Sequence, residues 1–187
     1  MSSIFLLLLL IILVVLSGFL SGSETAITAT SKARILYKKK KGSKRAGYVL
    51  ELLDKKDNVI STLLLSNNLV NILASSLATA FFYDIFGVEG IFYATLIMTV
   101  VIVIFAEVLP KTYAINRPNR TALLISPIIY YLNKILFIFV FVINFIVRLI
   151  FRNRDTDIKN KDLQSEEELK GVIDLYKTSN PDCEQEK

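Results

Sequence analysis

The 187-residue chain contains no histidine and one cysteine, Cys183. Without histidine there is no zinc site of the ordinary kind, no His-based catalytic triad and no His proton relay. A lone cysteine allows neither a disulfide within the chain nor a Cys/His metal cluster. A metal bound by this chain is therefore expected to be a hard cation held by oxygen. No nucleophile–base pair stands out either, so the chain is not expected to be an enzyme. Charge is missing from long stretches as well: residues 4–20, 58–83 and 91–106 carry none.

Hydrophobic residues make up 53% of the chain, and the mean hydropathy is +0.51. A helix crosses the hydrocarbon core with about 20 apolar residues. The uncharged runs, with their flanks, meet that length. The short alternating segments of a membrane β-barrel are absent. The expectation is an all-α integral membrane protein with spans at about residues 4–22, 58–83 and 89–110. The first run could be read as a signal peptide, but Met1-Ser2-Ser3 puts nothing basic before it and no small-residue cleavage site closes it. A retained helix is the expectation.

The net charge of +5 is unevenly distributed. Lys32, Arg34, Lys38, Lys39, Lys40, Lys41, Lys44 and Arg45 crowd the segment 31–57. Such a run suits nucleic acid, but here it separates two spans, and the positive-inside rule accounts for it without nucleic acid. The segment is read as a cytoplasmic basic helical loop, with the N-terminus outside. The connection Asp84-Ile85-Phe86-Gly87-Val88-Glu89-Gly90 is acidic and belongs outside. The third span ends at Pro110-Lys111, with Arg117 and Arg120 marking the inside again.

The apolar stretch 121–151 has basic residues before it and Arg148, Arg152 and Arg154 at its far end, so both ends prefer the cytoplasm. Pro127 and Asn133-Lys134 interrupt it. Rather than a fourth crossing, a bent juxtamembrane helix along the inner leaflet is expected, with Lys134 and Arg148 snorkelling to the headgroups. Residues 152–187 read as a cytoplasmic linker or tail, with a capped helix opening at Ser165-Glu166-Glu167-Glu168. The C-terminus is thus expected inside.

Polar groups at membrane depth are costly unless partnered. Three clusters stand out. In the first span, Ser17 and Ser21 share a face, with Gly18 and Gly22 as a GxxxG pair beside them. Such a pair serves helix packing, or it bares carbonyls and hydroxyls to a ligand. In the second span, Asn67, Asn68 and Asn71 fall within five residues, and Asn67 and Asn71 lie one turn apart. Amide oxygens suit a hard cation. In the third, Glu107 stands without a basic residue inside its apolar run, so it must take up a proton, meet a cation or bind a metal. It could also pair with Lys111 at the span's edge. Pro110 lacks an N–H, so in an α-helix the carbonyl of Ala106 loses its donor. Ser17, Ser21, Asn67, Asn71, Ala106 and Glu107 are therefore the candidate metal ligands. One carboxylate with neutral oxygens suits Mg²⁺ or Na⁺ at moderate affinity.

In this order, the segments 17–26 (Ser-Gly-Phe-Leu-Ser-Gly-Ser-Glu-Thr-Ala), 67–71 (Asn-Asn-Leu-Val-Asn) and 105–111 (Phe-Ala-Glu-Val-Leu-Pro-Lys) resemble the transmembrane domain of the CorC/CNNM (cyclin M) family of magnesium transporters. The resemblance covers roughly residues 1–150. It implies three spanning helices with a juxtamembrane belt, a homodimer, and Mg²⁺ held between the helices for export coupled to Na⁺ entry. It puts the ion at Ser21, at Asn71 or Asn67, and at Glu107. Ser66 stands where relatives often have Gly. Relatives usually continue into nucleotide-binding CBS modules, which these residues do not include, so no nucleotide binding is expected of this chain. Two rival readings are a dimeric membrane anchor whose polar residues only pack helices, and a Na⁺- or proton-coupled carrier of another solute.

Overall fold

The computed structural model describes residues 3–136 and residue 142. The readings made above for most of 137–151 and for the tail 152–187 lie outside the described residues. Helix α1 is Ser3–Ala29, α2 is Lys32–Lys40, α3 is Lys44–Asp54 and α4 is Lys56–Phe86. Helix α5, Glu89–Val101, runs through a π-helical segment, Ile102–Val108, into α6, Leu109–Asn116, and α7 is Pro118–Ile135. Among the described residues there is no strand, and three helices are long and apolar enough to cross a bilayer: Ile4–Ala29, Lys56–Phe86 and Glu89–Asn116. The chain is an all-α membrane protein.

Helix α1 is the hub. It packs against α4, against the π segment and α6, and against α7. Its buried residues are largely small or polar (Ser17, Ser21, Ser23, Ala26), which lets neighbouring backbones come close. The outward faces are apolar: Ile72 is 64% exposed and Phe92 69%. Exposed surface of this kind would be a liability in water and is at home in lipid.

The return from α4 to α5 depends on two glycines. Gly87 sits at φ +63°, a left-handed conformation that costs glycine nothing. A Cβ on Gly90 would overlap the Phe82 carbonyl, so only glycine lets the two helices fold back this tightly.

The basic segment forms an α2–α3 hairpin turning at Gly42, also in the left-handed region. Helix α3 buries Ala46, Val49, Leu50 and Leu52 and packs on α7. The lysines stay outside, as solvated or headgroup-facing charges. A Lys32–Asp54 ion pair of 2.7 Å closes the base of the hairpin between α2 and α3, and beside it Lys56 Nζ of α4 donates to the Thr28 carbonyl of α1 at 3.2 Å.

Helix α7 has two faces. Ala122, Ile125, Ser126 and Ile129 are buried against the bundle. Leu124, Ile128, Tyr131 and Ile135 recur at i, i+4, i+7 and i+11 and stay 57–75% exposed. An exposed apolar stripe opposite the face buried on the bundle suits a helix lying along the bilayer surface. Pro127 lies inside the helix without ending it. Thr62 on α4, fully buried, meets α7 with its hydroxyl 2.7 Å from Asn133 Oδ1.

Candidate ion site

Helix α1 carries Ser17 and Ser21 at i and i+4, and both are completely buried. Helix α4 carries Asn67 and Asn71 at the same spacing toward α1. Asn67 is buried and Asn71 half-buried, whereas Asn68 points to the outer surface. Ser17 Oγ lies 2.8 Å from Asn67 Oδ1 and 2.6 Å from Asn71 Oδ1. A hydroxyl has one proton, so it can donate to only one of these oxygens. With the amides in these orientations one hydroxyl proton faces two amide oxygens, an arrangement that a cation would complete. One turn along, Ser21 Oγ is buried and has no hydrogen-bond partner among the described residues. Orphaned buried hydroxyls are uncommon and call for a ligand or water.

The third span reaches the site through the π segment. Helices widen to π geometry rarely, and often at functional sites. The Leu109 N–H donates to the carbonyl of Ile104, five residues back. In that register the N–H that Pro110 lacks would have faced Phe105, not Ala106. The bare carbonyl thus shifts by one residue from the sequence expectation, because the expectation assumed an α-helical ladder. The Phe105 oxygen would lie only 3.1 Å from a Cβ on Gly18, so it faces α1 directly. Ala106 is fully buried, with its Cα in the same contact. Gly22 meets Pro110 in the same way. The GxxxG face is thus consumed within the chain and is not available for a second copy.

Glu107 is half-buried on the π segment. It has no hydrogen bond or ion pair among the described residues; the ion pairs there are Lys32–Asp54 and Lys55–Glu51. The pairing with Lys111 allowed by their spacing does not form. No cluster of three or more acidic, His or Cys side chains occurs among the described residues. Glu107 is the acidic side chain of the segment packed against α1, and the neutral oxygens lie on α1 and α4. The structure joins Ser17, Asn67 and Asn71 in direct contact. Ser21, Ala106 and Glu107 lie on the neighbouring turns of α1 and on the segment packed against α1.

Fold and site together define a polytopic helical membrane protein with an oxygen-rich polar centre between its spans. A family model, the cyclin M transmembrane N-terminal domain, matches residues 8–186, and the chain belongs to that family. It is 38% identical over 160 residues to the UPF0053 inner membrane protein YfjD of Escherichia coli (strain K12), covering 84% of this chain and 37% of that protein. It is 33% identical over 174 residues to a UPF0053 protein of Haemophilus influenzae, covering 92% of this chain and 41% of the relative. The chain thus spans less than half the length of these curated relatives.

Proposed function

We propose that this chain carries Mg²⁺ across the membrane, in the direction of export and coupled to Na⁺ entry. The observation that carries the reading is the convergence of Ser17 Oγ, Asn67 Oδ1 and Asn71 Oδ1 around one proton. Glu107, without a countercharge among the described residues, supplies the negative charge. Mg²⁺ gives up water reluctantly and needs several oxygens at once. The Ser21 hydroxyl and the carbonyls of the π segment extend the set. Relative motion of the helices would open the site to either side. In this reading the protein is a carrier, not an enzyme, and needs no nucleotide within these residues. The name of the YfjD relative supports placement in the inner membrane.

The same reading makes the carrier a homodimer. Because Gly18 and Gly22 are used internally, support comes from elsewhere. Leu64, Asn68, Ile72, Ser76 and Ala80 form a straight i, i+4 ridge on α4, and all five are exposed. An amide at membrane depth is costly in lipid, and two Asn68 side chains across a two-fold axis satisfy each other as donor and acceptor. Ser76 and Ala80 let the two backbones approach.

The anchor reading keeps one supporting observation. Turning the Asn67 amide would let its Nδ2 donate to Ser17, whose proton then goes to Asn71, and the trio closes without an ion. Calorimetry separates the two readings. Mg²⁺ is titrated into the wild type and Glu107→Ala, with Na⁺ and Ca²⁺ as competitors. A carrier site gives Mg²⁺-selective binding that is lost in the variant. Equal binding by both proteins, or none by either, returns the polar cluster to packing.

A further inference from the structure

Behind the ion site lies a groove of about 460 Å³ whose lining exposes no polar atom. Its walls are Leu16 and Leu20 of α1, Leu65 and Leu69 of α4, and Ile128 and Leu132 of α7. Leu16 immediately precedes Ser17, and Leu65 and Leu69 bracket the turn that carries Asn67. The groove is therefore the outer wall of the two helical turns that hold the converging oxygens.

Such a space does not stay empty at membrane depth. An apolar cavity offers water no partners and stays dry, and an unfilled one forfeits the contacts of every atom that lines it. The groove is also continuous with the lipid-facing surface. Ile128, on its wall, belongs to the exposed α7 stripe with Leu124 and Ile135, and Leu69 is itself 55% exposed. The stripe continues the exposed apolar surface of the spans, which suits the hydrocarbon of a bilayer.

We propose that the groove is a binding site for a lipid acyl chain, held long enough to act as part of the protein. The tail fills the space between α1, α4 and α7, keeps water from reaching the ion through that wall, and fixes the distance between the Ser17 and Asn67 turns. Lipid occupancy and ion affinity are then coupled, because both depend on the same pair of helices. That coupling rests on the carrier reading; the lipid site does not.

The chain has no tryptophan, so a single introduced one reports without background. Ile128→Trp places it on the groove wall, and Leu96→Trp places a control on the lipid-facing surface of α5. Each protein is loaded with phospholipid brominated on the acyl chains, which quenches tryptophan on contact, and is then diluted into excess unbrominated bilayers. The control recovers its fluorescence as bulk lipid exchanges. The groove reporter is expected to show an added slow recovery phase, lost when Leu69→Phe fills the groove. Identical recovery at both positions would reduce the groove to ordinary bilayer contact and overturn the proposal. Absence of quenching at the groove reporter would mean that protein covers the groove, which overturns the proposal equally.

Native mass spectrometry of the purified wild-type chain provides a test free of reporters. A lipid should be retained after detergent washing and lost in Leu69→Phe; equal retention in both places the lipid elsewhere. Mg²⁺ calorimetry on the wild type beside Leu69→Phe keeps the two readings apart. A wild-type chain that retains the lipid but binds no Mg²⁺, with the lipid lost in Leu69→Phe, removes the carrier reading and leaves the lipid site standing.

Discussion

At the scale of single residues, Ser21 and Gly18 make opposite predictions from the same helix. Ser21 Oγ is buried without a partner. Leaving such a group unsatisfied costs about 1–3 kcal/mol. Ser21→Ala should therefore leave ion-free protein as stable as the wild type or more so, and shrink the rise in melting temperature that Mg²⁺ induces. A thermal melt in detergent, with and without Mg²⁺, reads both effects; a variant less stable without the ion would show that the hydroxyl has a structural partner. Gly18 has no room for a methyl group, since a Cβ would lie 3.1 Å from both the Phe105 oxygen and Pro110 Cγ. Overpacking of this kind costs about 1–3 kcal/mol. Gly47, on α3, would meet nothing within 4 Å, so Gly47→Ala should gain roughly 0.5–1 kcal/mol of helix propensity. Comparing Gly18→Ala with Gly47→Ala by denaturant-induced unfolding separates close packing from propensity. The sequence marked Gly18 as a point of close approach, but not whether its neighbour would be the chain itself or a second copy. GxxxG spacing is the same in both cases, and only the three-dimensional path of the third span decides it.

At the scale of elements, the spans were legible because uncharged length and the distribution of basic residues are properties of whole segments. The motifs were legible because polar groups are conspicuous inside apolar runs. The π segment was not legible. Its widened register rests on where the backbone settles between α1 and Pro110, and no side-chain spacing encodes that. Reading Pro110 in an α-helical ladder assigned the bare carbonyl to Ala106; the i→i+5 bond from Leu109 to Ile104 moves it to Phe105. Nor does Pro110 end the helix: it sits in the first turn of α6, which continues to Asn116. Pro110→Ala tests whether this element sets the site. It restores the N–H and removes the ring from the Gly18 and Gly22 contacts, so the segment is free to tighten toward α geometry and turn Glu107 away from its present direction. Helix content by circular dichroism should hold while Mg²⁺ affinity falls. Unchanged affinity would mean that the π turn is maintained by α1 packing alone.

At the scale of the whole molecule, the distribution of charge predicts the side of the membrane on which each connection lies. The three candidate spans put the α2–α3 hairpin and the α6–α7 connection on one side, and the α4–α5 turn on the other. The hairpin carries Lys38, Lys39, Lys40 and Lys41 in succession, whereas the α4–α5 turn is flanked by Asp84 and Glu89 and has no cation. Excess Lys and Arg in short loops holds those loops in the cytoplasm. The single cysteine makes this directly measurable. In the reading that puts the tail in the cytoplasm, a membrane-impermeant maleimide should label Cys183 in inside-out vesicles and not in right-side-out ones. In a Cys183→Ser background, Asp84→Cys should show the opposite pattern. If both patterns invert, the N-terminus is inside and the lysine run is outside, against the charge rule. In that case the Ser17–Asn67–Asn71 centre would keep its geometry, but the α7 belt would lie on the outer leaflet, and the direction of transport argued from the family would lose its structural frame. If both cysteines label from one side, the number of crossings is wrong, and the apolar stretch 121–151 makes the fourth crossing that competes with the juxtamembrane reading.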